Sequence, residues 1–189
     1  SEGKYIGFGC LDRYDLLCWI SYIIERFGDD CEILLHGISM GGATVLMASG
    51  LELPNNVKGI ISDCAFTSAW EVFVDVLKDM YHIPPYPIIN IANSISKSIA
   101  GYGLNECNSA EEVKKAKVPI LFIHGDNDTF VPCSMSKEIY KNCASPKALL
   151  IVKDAGHAES YYKDTINYEK KVKDFIERYL SNKEVIIND

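Results

Sequence analysis

The stretch from Gly37 to Gly41, which reads Gly-Ile-Ser-Met-Gly, most constrains how this chain can fold. A short apolar run, residues 33–35, leads into it, and a helix-forming run, residues 43–48, follows it. A serine at such a junction is held on a sharp strand-to-helix turn. We expect a side chain at either glycine to clash with the crossing strand and helix, and we expect the turn to lift the Ser39 hydroxyl above the sheet.

Strand and helix patterns alternate along most of the chain. Four segments carry consecutive apolar residues, which are typical of strands buried on both faces of a parallel sheet. These segments lie near residues 32–36, 57–63, 118–124 and 147–152. Alternating strands and helices with short links predict an α/β fold, with a mostly parallel sheet and helices on both faces.

A helix precedes the first of these strands. Its apolar residues recur at three- and four-residue spacing from Leu16 to Phe27, and this spacing predicts one buried face that includes Trp19. Asp12 is a plausible N-cap, and Gly28 ends the pattern. We therefore predict an amphipathic helix between Asp12 and Gly28.

Residues 66–117 break the alternation. Helical patterns cover residues 69–80 and 88–100, and the sequence Ser109-Ala110-Glu111-Glu112 predicts a capping box that opens a short helix. Because insertions between sheet strands commonly carry function, we expect a small helical cap within a single domain that spans residues 1–189. Four aromatic residues of this segment could line an apolar pocket, although their helical spacing favours packing: Trp70, Phe73, Tyr81 and Tyr86.

Composition excludes two classes of partner. The 189 residues are 48% hydrophobic and 24% charged, as in ordinary globular domains, and their net charge is −7. Nucleic-acid-binding proteins present clustered Lys and Arg, so we expect no nucleic acid as a partner. No apolar run approaches the roughly 20 residues of a membrane-spanning helix, so we expect no membrane insertion by this chain.

The cysteines and histidines show no metal-binding or redox spacing. The seven cysteines are scattered, with no C-x-x-C pair. We expect reduced, mostly buried thiols and therefore a cytoplasmic location. The four histidines lack the short spacings of metal ligands, so we expect no metal site.

Three predicted loops carry residues that together could perform nucleophilic chemistry. In a parallel sheet the loops that follow the strands open on one edge, and here these loops carry Ser39, Asp128 and His157. A serine hydroxyl needs a neutral imidazole to take its proton, and the imidazole needs a carboxylate that fixes its tautomer. We predict that these three residues act together. Asp63 and Asp126 are alternative acids, and we expect Asp126 to bind backbone amides in an Asx-turn instead.

Three segments make the chain resemble the α/β-hydrolase superfamily: Gly37-Ile38-Ser39-Met40-Gly41-Gly42, residues 124–132, and Ala155-Gly156-His157. Within the superfamily the chain is most similar to bacterial serine hydrolases of the prolyl-oligopeptidase and acyl-thioesterase branch. The resemblance implies Ser39 as nucleophile, His157 as base and Asp128 as acid. It also implies the backbone amide of Met40 as an oxyanion donor, and no cofactor.

The activity that this resemblance implies is cleavage of a small carboxylic ester or thioester through an acyl-enzyme intermediate. A peptidase of the prolyl-oligopeptidase type is one alternative. A catalytically silent hydrolase fragment that serves as an association module is the other.

Compared with the superfamily, the chain begins where the fourth strand has already ended. The resemblance therefore implies that the first strands, the first helix and a second oxyanion donor are missing. In the family's strand order, the strand before Ser39 is then left with an open edge, and such an edge is a template for association. We expect this edge to bind a complementary N-terminal segment or a second copy of the chain.

Overall fold

The computed structural model describes residues 3–180, and within them it contains four strands and eight α-helices. The strands are β1 (Ile33–Ile38), β2 (Val57–Asp63), β3 (Ile120–Gly125) and β4 (Lys147–Val152). The helices are α1 (Asp12–Phe27), α2 (Met40–Ala48), α3 (Ala69–Asp75), α4 (Ile88–Ala100), α5 (Ser109–Glu112), α6 (Cys133–Asn142), α7 (Ser160–Lys163) and α8 (Thr165–Tyr179). A π-helical turn (Val76–Met80) continues α3, and a 3-10 turn (Val113–Lys115) continues α5.

The strands form one parallel sheet in the order β1-β2-β3-β4. Ile60 pairs with Ile120, and Ile120 pairs with Lys147, so the strands run in register. Parallel pairing brings the carboxyl ends of all four strands to one edge of the sheet. The predicted α/β fold with a parallel sheet is confirmed.

Helices cover both faces of the sheet. Along β3, Ile120 and Phe122 pack into a core on the face that holds α1, α2 and α6. Leu121 and Ile123 point the other way and pack against Phe175 of α8. This alternation follows from the two-residue period of a strand, and it explains why β3 is apolar on successive residues. No helix within residues 3–180 is long and apolar enough to cross a bilayer.

β1 lies at one edge of the described sheet, and its burial differs from that of the central strands. Leu35 and Gly37 are buried, whereas the side chain of Ile38 is 49% exposed. The expectation that β1 is buried on both faces is therefore wrong within residues 3–180. The exposed residues, His36 and Ile38, share one face of β1, so the described helices cover that face only in part.

Helix α1 forms where it is predicted, but much of its expected buried face is open. Ile20 is buried, whereas Trp19 is 64% exposed and Phe27 is 66% exposed, because no described segment packs over them. Asp12 is also not the N-cap. It is the first residue of the helix, and its carboxylate accepts a hydrogen bond from the amide of Gly9 at 2.7 Å.

The segment between β2 and β3 is helical in the two predicted places, α3 with its π-helical turn and α4. The predicted capping box at Ser109 is wrong by one residue. The side chain of Asn108 caps α5 by accepting hydrogen bonds from the amides of Ala110 and Glu111. That this segment serves as a cap over the active face remains a prediction.

Two of the seven cysteines form a disulfide, which contradicts the expectation that all are reduced. Cys10 and Cys107 are bonded, with their Cα atoms 5.4 Å apart. The remaining five are free thiols, and three of these are buried: Cys64, Cys133 and Cys143. The disulfide joins the chain just before α1 to the chain just before α5.

The turn between β1 and α2 is held by close backbone contacts. Ser39 has φ 53° and ψ −116°, a conformation that strains any residue with a Cβ atom. A Cβ atom on Gly37 would lie 2.2 Å from the carbonyl oxygen of Gly41. The predicted clash at Gly41 is wrong, because a Cβ atom there meets nothing within 4 Å among the described residues. The second tight position is Gly42, where a Cβ atom would lie 2.9 Å from the carbonyl oxygen of Asp63.

We expect Gly37→Ala to lower the free energy of unfolding by about 2 kcal/mol or more, because its methyl group would have to displace the Gly41 backbone. Gly41→Ala is the matched control, since its methyl group would enter open space. This control should stay within about 0.5 kcal/mol of the wild type. Urea unfolding midpoints compare the two variants, and equal midpoints would contradict the contact described here.

Candidate active site

The structure brings together the three residues predicted for the site. Nε2 of His157 lies 2.8 Å from Oγ of Ser39, and Nδ1 of His157 lies 2.7 Å from Oδ2 of Asp128. Since an ionised carboxylate only accepts hydrogen bonds, Nδ1 carries the proton of the neutral imidazole. Nε2 is then free to accept the hydroxyl proton of Ser39. This tautomer is the one that a general base next to a serine needs.

Asp128 is held by its own loop as well as by His157. Its Oδ1 accepts hydrogen bonds from the backbone amides of Phe130 and Val131, both at 2.9 Å. Burial alone would raise the pKa of this carboxyl group, but hydrogen bonds from His124, His157 and the Val131 amide outweigh burial. They hold the pKa of Asp128 well below its usual 3.8. The carboxylate is therefore ionised at neutral pH.

His157 lies on the loop that follows β4, and a quarter of its side chain is exposed. The ring of Phe130 packs edge-on against the imidazole, with centroids 5.0 Å apart. The hydrogen bond to Asp128, followed by contact with the Cys64 thiol, raises the pKa of His157 above its ordinary 6.5. The neighbouring carboxylate thus stabilises the protonated form of the imidazole.

The two alternative acids occupy other positions. Oδ1 of Asp126 accepts a hydrogen bond from the amide of Asp154 at 2.7 Å and so ties together the loops after β3 and β4. The Asx-turn expected at Asp126 is formed by Asp128 instead, through the amide of Phe130. Asp63 is buried, and its carboxylate accepts a hydrogen bond from the Ser160 hydroxyl at 3.3 Å. His157 is paired with Asp128 rather than with either alternative.

Met40 directly follows Ser39 and is the first residue of α2. The first amides of a helix have no carbonyl partner within the helix, so the Met40 amide is available to an anion. This is the geometry expected of an oxyanion donor. The role itself remains a prediction.

Two residues beside the site were not singled out by sequence reasoning. His124 is the penultimate residue of β3 and is fully buried. Its Nε2 lies 2.8 Å from the carbonyl oxygen of Val131 and 3.2 Å from Oδ2 of Asp128. The other is Cys64, a buried residue whose sulfur lies within 4.8 Å of a ring nitrogen of His157. Neither has a sequence signal, since a histidine or cysteine at a strand end is usually a packing residue.

A cavity of about 350 Å³ lies beside α3 and α6. Trp70 and Tyr86 line it, whereas the predicted pocket residue Phe73 packs against Phe8 instead. The cavity is not the apolar pocket considered above, because three carboxylates also line it: Glu71, Asp75 and Glu138. Neither Ser39 nor His157 is among its lining residues.

Comparison with known proteins identifies the family. Residues 10–183 match the prolyl oligopeptidase family. The Bacillus subtilis protein YqkD is 31% identical over 177 residues, which cover 94% of this chain and 58% of YqkD. This chain therefore spans less than two thirds of the length of that relative.

Two solved structures share the fold. The esterase Pf2001 of Pyrococcus furiosus superposes with a TM-score of 0.72 at 18% identity, covering 95% of this chain and 66% of the esterase. The acylaminoacyl peptidase of Pyrococcus horikoshii superposes with a TM-score of 0.70 at 21% identity, covering 94% of this chain and 29% of the peptidase. At such identities the likeness establishes the fold alone. The family match extends over most of the sequence, so the chain belongs to the prolyl oligopeptidase family of the α/β-hydrolase superfamily.

Proposed function

We propose that this chain carries the nucleophile, base and acid of a serine hydrolase that acts on a carboxylic ester or thioester. The observation that carries the proposal is the pair of hydrogen bonds made by His157, at 2.8 Å to Ser39 and 2.7 Å to Asp128. Membership of a hydrolase family supports it. The site residues converge from three separate loops, which is difficult to explain by packing alone.

In the proposed reaction, Oγ of Ser39 attacks the acyl carbon while Nε2 of His157 takes the hydroxyl proton. The backbone amide of Met40 donates a hydrogen bond to the oxyanion that forms. The imidazolium then gives its proton to the departing alcohol or thiol, and the acyl group remains on Ser39. Water, activated by the same nitrogen, releases the acid and restores the serine. No cofactor takes part in this cycle.

Cleavage of an ester or thioester needs less leaving-group protonation and less oxyanion stabilisation than cleavage of a peptide bond. The amine of a peptide departs only after the histidine has protonated it. Removing one oxyanion donor costs roughly 10²–10³ in turnover, and we assign a single donor, the Met40 amide, among the described residues. A prolyl-oligopeptidase-type peptidase, which the family match favours, is the second candidate.

Ser39→Ala should abolish labelling of the protein by a fluorophosphonate probe, because the probe reacts with a serine whose proton a histidine accepts. In-gel fluorescence measures the labelling. Ser94→Ala is the matched control, since Ser94 is exposed on α4 and its hydroxyl donates only to the carbonyl of Asn90 on the same helix. This control should label like the wild type.

Absence of labelling in the folded wild-type chain would contradict the proposal and favour the silent association module. A second assay separates the two enzymatic candidates. The wild type should cleave p-nitrophenyl esters faster than peptide p-nitroanilides. The reverse order would replace the esterase by the peptidase.

Asp128→Asn should slow labelling by roughly 10⁴, because an amide no longer fixes the imidazole tautomer. In the wild type, labelling should rise with pH as the imidazolium loses its proton, through a pKa above the ordinary 6.5 of histidine. Asp128→Asn removes the largest cause of the raised pKa of His157, so the midpoint of the variant's labelling rate against pH should move to lower pH. Stopped-time labelling across pH measures both effects.

Asp126→Asn is the control for this substitution, because an asparagine oxygen can still accept the hydrogen bond from Asp154. It should label at close to the wild-type rate with an unchanged inflection. An equal loss of labelling rate in the two variants would indicate a general disturbance of the loop and would contradict the assignment of Asp128 as the acid.

We also propose that the open edge of β1 pairs with another strand. In the isolated chain this strand would come from a second copy, and in a longer protein from a complementary N-terminal segment. The position of β1 at the edge of the described sheet and the 49% exposure of Ile38 support the proposal. An edge of this kind presents unpaired amides and carbonyls to any extended chain.

The 189-residue chain should therefore self-associate as its concentration rises, as measured by light scattering. Ile38→Lys should shift it towards the monomer, because a lysine on an edge strand opposes pairing. Ile166→Lys is the matched control, since Ile166 is 81% exposed but belongs to a helix, α8, and therefore offers no strand edge. A wild-type chain that stays monomeric at high concentration would contradict the proposal.

The cytoplasm remains our proposed location for this chain. The five free thiols favour a reducing compartment, whereas the bond between Cys10 and Cys107 argues for an oxidising one.

A further inference from the structure

The thiol of Cys64 lies beside the site and takes no part in the proposed hydrolysis. Cys64 directly follows β2, where its amide donates to the carbonyl of Ile123 at 2.9 Å and its φ is 44°. The residue has no exposed surface. Its sulfur, one carboxylate oxygen of Asp128 and one ring nitrogen of His157 all lie within 4.8 Å of one another.

These three atoms are of the kinds that bind zinc. Thiolate, imidazole and carboxylate bind Zn²⁺ at about 2.3, 2.0–2.1 and 2.0–2.2 Å, so ligand atoms in a tetrahedral site stand about 3.3–3.8 Å apart. No two of the three atoms are more than 4.8 Å apart, so no separation exceeds that range by more than about 1.0 Å, a difference that side-chain rotation can close. Three protein ligands leave a fourth position for water or for Oγ of Ser39.

We propose that Cys64, Asp128 and His157 form a site for a soft divalent cation such as Zn²⁺, and that the bound cation inhibits the enzyme. The cation takes one ring nitrogen of His157, and both ring nitrogens are in use: one binds Asp128 and the other binds Ser39. Binding therefore breaks at least one hydrogen bond on which hydrolysis depends. The thiol releases its proton to solvent as it binds. The inhibition rests on the proposed function, whereas the binding does not.

Of the three ligands, His157 is the one that solvent reaches. The side chain of Asp128 and the whole of Cys64 are buried, whereas the His157 side chain is 25% exposed. A cation thus meets His157 first and reaches the other two ligands as the imidazole turns. Spacing along the chain predicted no metal site, because these ligands come from three separate loops and share no local motif.

Cobalt is the probe for binding, since Co²⁺ bound by a thiolate absorbs light strongly. The purified chain should bind one Co²⁺ with a thiolate charge-transfer band. Cys64→Ala should remove the band and weaken binding more than about 100-fold, since loss of an outer-shell partner alone costs 10–100-fold. His157→Gln should also remove the band and weaken binding. Because His157 is partly exposed, this substitution should disturb the fold less than one at the buried Cys64. Cys31→Ser, which removes a free thiol elsewhere, and Ser39→Ala should both keep the band.

Inhibition is measured by the effect of Zn²⁺ on fluorophosphonate labelling of Ser39. Zn²⁺ should slow labelling of the wild type and of Cys31→Ser, but not of Cys64→Ala. A wild type that binds no Co²⁺, or a Cys64→Ala variant that keeps the band, would overturn the site. Binding of Co²⁺ by a chain that never labels would refute the proposed hydrolase and leave the metal site standing. Labelling of a chain that binds no Co²⁺ would refute the metal site and leave the proposed hydrolase standing.

Discussion

The amide of Ser39 donates a hydrogen bond to the carbonyl of Asp63 at 2.8 Å, and the position of the site depends on this bond. It fastens the turn after β1 to the end of β2. A backbone hydrogen bond contributes only about 1 kcal/mol net, whereas a strained backbone conformation such as that of Ser39 costs about 1–3 kcal/mol. Further support comes from the carbonyl of Ser39, which accepts a hydrogen bond from the amide of Ala43 at 2.9 Å, and the absence of a side chain at Gly37 leaves room for the Gly41 backbone.

Similar backbone bonds continue past the ends of the other strands. The amide of Cys64 donates to Ile123, and the amide of Asn127 donates to Ala155 at 3.0 Å. These bonds extend the sheet ladder into the loops that carry Asp128 and His157. Because the loops are tied to one another, the hydrogen bonds of the site are formed before any substrate arrives. Such preorganisation is what makes fixed dipoles effective against a developing charge.

The sequence predicts well those features that depend on local pattern. β3 is apolar on successive residues, and the place of Ser39, Asp128 and His157 at one sheet edge follows from loops at the ends of parallel strands. Contacts between distant segments leave no such pattern. The disulfide of Cys10 and the place of the Cys64 thiol beside His157 depend on where the folded chain sets unrelated segments. Periodicity does not encode those placements.

The buried carboxylate of Asp128 shows how the site distributes its hydrogen bonds. An ionised group without exposed surface is costly unless it is fully hydrogen-bonded. Oδ1 is committed to the amides of its own loop, so Oδ2 alone serves the histidines. His157 lies 2.7 Å from Oδ2 and His124 lies 3.2 Å from it, while the same N–H of His124 also points at the Val131 carbonyl. His157 therefore makes the shorter contact with Oδ2, and a change at His124 would affect His157 through Asp128 without touching Ser39.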